Sequence, residues 1–329
     1  MTEKKIRNII QKFSSCKPLI IGDVMIDSYL WGNVSRISPE APVPIVSCTK
    51  TEKRLGGAAN VALNLKSLGA SPILCSVIGK DEYQESFVQL MRENNMIGDG
   101  ILDSGERQTT IKTRIIGLHQ QLLRVDHEMT EELSPGLEKF FIDHVLATIK
   151  KHQINAIIFQ DYDKGCITPA IIGEVVDYAN KSGIPVLVDP KKRNFLAYNN
   201  VSVFKPNYKE FTEGLNAMVG KTDSRKLFEV AKKFLEEKNI NQLLLTLSEA
   251  GVFVCDKDQY FQIPTHARDV VDVSGAGDTV ISVAALCKAS GFDMKEMAAI
   301  SNLAGGLVCE KLGVVPVEKQ WLESSLSKI

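Results

Sequence analysis

From residue 135 onward, short apolar runs alternate with helix-length amphipathic segments, and this alternation leaves little choice of fold. It predicts helices over 135–151, 169–181 and 227–238. Strands are expected between them at 156–160, 185–189, 201–204 and 243–247. A strand of a few apolar residues without polar alternation needs cover on both faces, and crossover helices supply it. The expected class is α/β, with a mostly parallel sheet between helical layers. The first half adds strands at 17–25 and 73–78 and helices at 57–68 and 82–94. A β-pair at 251–255 and 260–263 and helices near 275–290, 294–311 and 318–327 complete the chain.

Two stretches depart from the alternation. In 29–49, Gly32, Asn33, Pro39, Pro42 and Pro44 interrupt short strand-like segments. Residues 109–126 are again β-rich between helices. The expectation is one domain, 1–329, with a small second sheet inserted at about 28–50 and 108–126 and acting as a lid.

Composition narrows the function. A formal net charge of -1 gives no basic excess for nucleic acid or a membrane surface. The seven cysteines are scattered without a C-x-x-C pair, which suits a reduced, cytoplasmic protein and not a zinc cluster. The charged start lacks a signal-peptide core, and no apolar run has bilayer length.

The chemistry concentrates at Asp272-Val273-Ser274-Gly275-Ala276-Gly277-Asp278-Thr279, just before an apolar helix. Small residues at a helix start leave backbone N–H groups bare toward an anion. Asp278 beside them is either an ordinary first-turn acid or a base that takes a hydroxyl proton while the N–H groups of Gly275, Ala276 and Gly277 hold a phosphoryl group. The helix field is expected to keep Asp278 ionised. Asp272 is a turn former or part of a monovalent-cation site.

Three further motifs are weaker. Gly56-Gly57-Ala58-Ala59-Asn60 is a tight loop-to-helix junction or a surface that a sugar approaches closely, with Asn60 hydrogen-bonding it. Asp27, after the first strand, stands where open α/β sheets bind ligands. Asn207 and Glu210 have capping-box spacing and could also hold Mg²⁺ through water. Two apparent motifs fail: Val219-Gly220-Lys221-Thr222 lacks the first P-loop glycine, and Gly275-x-Gly277 lacks the third dinucleotide glycine, with Val280 in its place.

Together the Gly-Gly-x-x-Asn segment and the Gly-Ala-Gly-Asp turn resemble the ribokinase/PfkB family of carbohydrate kinases. The resemblance runs from Gly22 to Gly313. It is narrowest toward the branch that phosphorylates D-glycero-D-manno-heptose 7-phosphate. That likeness rests on Gly22-Asp23-Val24-Met25-Ile26-Asp27 and on Ser35 through Pro44. It also rests on Gln120 through Asp126, Asp161-Tyr162-x-Lys164-Gly165 and Asp189-Pro190-Lys191.

The resemblance implies a ribokinase-like three-layer α/β/α sandwich with a β-lid, a homodimer joined through that lid, ATP and Mg²⁺. It implies Asp278 as base, with Gly275, Ala276 and Gly277 as anion hole. Asn207, Glu210, Thr246, Ser248, Gly251 and Asn302 would serve the nucleotide. Asp27, Gly56, Gly57 and Asn60 would contact the sugar. Arg36, Lys112, Arg114, Arg124 and Lys191 are candidates for the substrate's phosphate, and two or three are expected to make real contacts.

Ser274 replaces a usual threonine, and Val314-Val315 a frequent Thr-Ala. The nucleotidyltransferase motif His-x-Gly-His is absent, so adenylyl transfer is expected from another protein. The rival readings are a kinase for an unphosphorylated sugar or fructose 6-phosphate, and a non-catalytic sugar- or nucleotide-binding regulator.

Overall fold

The computed structural model describes residues 2–117, 120–265 and 269–327. Leu118 and His119, within the expected lid segment, lie outside the described residues. Helix α1 (Glu3–Ser14) leads into β1 (Pro18–Gly22), β2 (Val24–Ile37) and β3 (Pro44–Gly57). Then come α2 (Ala58–Ser67), β4 (Ile73–Gly79), α3 (Gln84–Glu93), β5 (Ile101–Ser104), β6 (Ile111–Gly117) and β7 (Gln120–His127). The regular alternation follows with α4 (Pro135–His152), β8 (Ala156–Gln160), α5 (Pro169–Lys181), β9 (Val186–Asp189) and β10 (Val203–Phe204). Next are α6 (Tyr208–Gly214), α7 (Ser224–Glu237), β11 (Gln242–Thr246), β12 (Val252–Cys255) and β13 (Tyr260–Ile263). Helices α8 (Ala276–Ala289), α9 (Met294–Cys309) and α10 (Lys319–Leu326) close the chain.

The main sheet has the order β13-β12-β11-β10-β9-β8-β1-β4-β5. Every pair from β11 to β5 is parallel, while β12 and β13 add antiparallel at one edge. Its inner strands are buried on both faces, so alternate residues feed two cores. Leu19 and Ile21 of β1 pack with residues of α4, α5 and α7, whereas Ile20 packs with residues of α1, α2, α8 and α9. The helices start where the sequence caps them. Ser134 and Thr168 accept from the Leu137 and Ile171 N–H groups, with Pro135 and Pro169 in the first turn, where a missing N–H costs nothing.

The small sheet has the order β3-β2-β6-β7. Pairing is antiparallel for β2–β3 and β6–β7 but parallel for β2–β6. The turn formers of this region predict short segments, yet β2 and β3 each run 14 residues. Gly32 is absorbed at a register shift next to Trp31, and Pro44 opens an edge strand, a position where its missing N–H is tolerated. The strand expected at 17–25 is broken at Asp23, where the chain leaves one sheet for the other. Strand β5 was not anticipated; it is four residues long and only half-buried, too short for a periodic signal.

Candidate active site

Parallel strands end together, so β1, β8, β9, β10 and β11 deliver Asp23, Gln160, Asp189, Lys205 and Thr246 to one edge of the sheet. Helix α8 begins over that edge. Gly275 is its N-cap with φ 82°, a conformation that disfavours any side chain. Asp278 follows in the first turn, 6% exposed, and lines a cavity with Gly275, Gly277, Gln160, Tyr162, Asp189 and Lys205.

Three side chains orient the Asp278 carboxylate. Asn60 Nδ2 donates to Oδ2 at 2.7 Å. Tyr162 Oη donates to Oδ1 at 2.7 Å, and Gln160 Nε2 to the same oxygen at 3.2 Å. Burial pushes this carboxyl up to about 6, against the hydrogen bonds from Asn60 and Tyr162; the charge of Asp189 raises it and that of Lys205 lowers it. Desolvation at this depth outweighs the helix field's stabilisation of the charged form, yet a carboxyl at about 6 is still mostly ionised near neutral pH. The Tyr162 hydroxyl is raised well above its ordinary range by burial and by Asp278, so it stays a proton donor.

The loop carrying Tyr162 is held by Asp23. Its carboxylate accepts the backbone N–H groups of Tyr162, Lys164 and Cys166 at 2.8, 3.1 and 3.0 Å. Asp161 beside it is pushed up to about 7 by burial and by the charge of Asp23, while Asn194 hydrogen-bonds it at 2.9 Å.

The structure brings many of the predicted residues together. Asn207, Glu210, Thr246, Ser248 and Lys191 line the Asp278 cavity. Asn207 and Glu210 form a full capping box, with 2.9 and 2.8 Å bonds to each other's backbone. The remaining Glu210 oxygen takes Lys191. Lys191 therefore stands on the wall of Asn207 and Thr246, apart from the other four cations proposed for the substrate phosphate. Burial works against its charge, yet Asp189, Glu210 and Asp278 hold its pKa above the ordinary value.

Other predicted residues sit one layer away. Asp27 pairs with Arg114 across β2 and β6, and a side chain on Gly56 would collide with the Asp27 carboxylate. Gly57, φ 60°, is the N-cap of α2 and leaves no room for a side chain against the Asp23 carbonyl. Lys112 is bound by Asp126 and Glu128, and Arg124 by Asp126. Arg36 is exposed toward the far end of β2 and lines neither this cavity nor the one beside Arg114. Asn302 is buried and donates to the Pro264 carbonyl at 2.7 Å, and Gly251 turns the chain into β12 with φ 82°. The Asp272 carboxylate accepts the Ser274 and Gly313 N–H groups at 2.9 and 3.0 Å, which is the turn-former geometry.

Gln160, Tyr162, Asp189 and Lys205 are among the cavity residues that were assigned no site role from sequence. Their signal was positional, since Gln160 and Asp189 end strands and Lys205 follows one. Only the strand order shows that these ends converge on Asp278. Among the described residues, no helix is long and apolar enough to cross a membrane.

A buried acid, a glycine-capped helix start, the buried Lys205 and the half-buried Lys191 around one cavity are the layout of a phosphoryl-transfer site. The family model described as pfkB family carbohydrate kinase matches residues 17–320, and the chain belongs to that family. It is 38% identical over 321 residues to the bifunctional protein HldE of Citrifermentans bemidjiense, covering 97% of this chain and 65% of that one. The HldE of Sulfurimonas denitrificans is 39% identical, covering 94% of this chain and 65% of that protein. The chain thus spans a little under two thirds of the length of these relatives. Among solved structures, phosphofructokinase-2 from Escherichia coli in complex with fructose-6-phosphate superposes with a TM-score of 0.76 at 18% identity, covering 95% of this chain and 99% of that one. Arabidopsis thaliana ribokinase complexed with ribose and ATP gives 0.71 at 17%, with the same coverage. These likenesses establish the ribokinase-like fold.

Proposed function

We propose that the chain transfers the γ-phosphoryl of ATP to O1 of D-glycero-D-manno-heptose 7-phosphate, giving the 1,7-bisphosphate for ADP-heptose synthesis. The observation that carries the reading is the Asp278 carboxylate, oriented by Asn60, Tyr162 and Gln160 beside the Gly275–Gly277 helix start. The heptose assignment is supported by the residue strings shared with heptose 7-phosphate kinases and by the identity to the HldE proteins.

In this mechanism Asp278 takes the proton from O1 as that oxygen attacks phosphorus in line. The backbone at Gly275 and Gly277 would face the charge that gathers on the phosphoryl oxygens, whereas the Ala276 N–H, expected in the same anion hole, donates to the Val273 carbonyl at 3.3 Å. Asp27, tied to Arg114, would accept sugar hydroxyls. Arg114 and Lys112, two residues apart on the strand that pairs with Asp27's, are the cations of the proposed set that would take the 7-phosphate. The small sheet would close over the sugar and exclude water; its exposed Leu123 and Val125 offer an apolar surface for a second subunit.

The donor set fits a hydrated Mg²⁺ better than a protein-caged one. Glu210, Asn207 and Asp189 share the cavity wall, yet among the described residues no three acids, histidines or cysteines gather as direct ligands. Glu210 and Asn207 would hold the ion through water, and when bound it supplies positive charge to the ATP phosphates.

Incubation with heptose 7-phosphate and ATP, followed by NMR of the product, tests the assignment. Phosphorylation at O1 is expected. Preference for fructose 6-phosphate or an unphosphorylated hexose in a coupled ADP-release panel would replace heptose as the substrate.

Tyr162→Phe removes a hydrogen bond that lowers the Asp278 pKa. The acid limb of its pH–rate profile should therefore move to higher pH. An unmoved limb would disconnect Tyr162 from the base.

A further inference from the structure

Lys205 is 2% exposed, and its Nζ lies 3.0 Å from Asp189 Oδ2. A lysine this deep is costly unless its charge has a partner and a task. Its backbone is rigidly placed: it directly follows β10, and its N–H bonds the Val188 carbonyl of β9 at 2.8 Å. Its ammonium lines the same cavity as Gly275, Gly277 and Asp278.

Gly277 supplies an independent observation. Its φ lies outside the region that favours glycine. A Cβ built there would sit 3.6 Å from Lys205 Nζ and 3.9 Å from Asp189 Oδ2, ordinary contact distances. Neither the backbone nor the packing of this chain therefore demands glycine at 277. What a methyl group would take is the open space between the helix start and the Lys205–Asp189 pair. Space kept clear between the Gly277 backbone and a buried ammonium is matched to an oxyanion.

We propose that Lys205 is a further catalytic residue, whose ammonium contacts the transferring phosphoryl group in the gap left open at Gly277. Asp189 holds the ammonium in position when no ligand is there. Negative charge spreads over the phosphoryl oxygens during transfer, so a cation fixed in place beside them favours the transition state over bound ATP. The proposal rests on the phosphotransferase reading, and not on which sugar accepts the phosphoryl group.

The test combines turnover with binding of ADP and of ADP–aluminium fluoride, a mimic of the transferring group that needs no sugar turnover. Lys205→Met is expected to lower kcat roughly 10²–10³-fold, the range for losing one oxyanion contact. KM for the sugar should stay within about threefold, because the lost contact belongs to the transition state. The fluoride complex should weaken far more than ADP alone. Turnover within about threefold of the parent, or equal weakening of ADP and its fluoride complex, would overturn the proposal.

Because Lys205→Met strands a buried carboxylate, the double variant Lys205→Met/Asp189→Asn is also measured. If it stays slow, the ammonium itself is needed; recovery of turnover would make Lys205 only a partner for Asp189. Gly277→Ala should fold normally by circular dichroism yet bind ADP–aluminium fluoride more weakly, and unchanged binding would count against the gap as a ligand site. A failure with heptose 7-phosphate alone leaves the fluoride measurements intact, so the two readings fail separately.

Discussion

Asp278→Asn is expected to lower kcat by roughly 10²–10⁴-fold, the contribution of a positioned general base. The substitution keeps the shape of the side chain and removes its proton affinity. Tyr162 and Gln160 can still donate to the remaining oxygen, whereas Asn60 Nδ2, now 2.7 Å from a carboxylate oxygen, would face an amide nitrogen or force a rotation. A small local cost is therefore expected, without unfolding. Coupled ADP release with a circular dichroism spectrum decides it: near-parental turnover by a folded variant would remove Asp278 as the base and leave it a helix-start acid.

The second large effect is on pH. The base works ionised, and burial places its carboxyl at about 6. Below that value kcat/KM should fall roughly tenfold per pH unit, as expected for one essential ionisation. An Asp at its ordinary value of 3.8 would put the limb two units lower. A limb near 4 would show that the cavity does not hold Asp278 desolvated in the free enzyme. The same shift has a stability consequence of fixed sign. The folded carboxyl binds its proton more tightly than the unfolded one, so this group's contribution is fully present below pH 4 and is lost as pH rises through about 6. Activity and this part of stability therefore run in opposite directions across the same window.

Legibility differed between fold and site for physical reasons. Strands buried on both faces and helices with Ser134-Pro135 or Thr168-Pro169 starts carry their instructions within a few residues. The small sheet was less legible. Its β2–β6 pairing is parallel and joins residues some 85 positions apart in register, such as Ile26 and Ile111, which no local pattern records. The Asn207–Glu210 spacing was readable as a capping box, and the structure forms one; it also turns Glu210 toward Lys191, a residue that sequence alone grouped with the sugar side.

Sequence by itself determined the α/β class, the carbohydrate-kinase resemblance and the acid at the start of α8, because each rests on residues close together in the chain. Only the tertiary structure decided what surrounds that acid. Gln160, Asp189 and Lys205 reach Asp278 because parallel strands end at one edge, and burial among them sets its proton affinity. Desolvation and charge act through space, and the sequence records neither until the chain has folded.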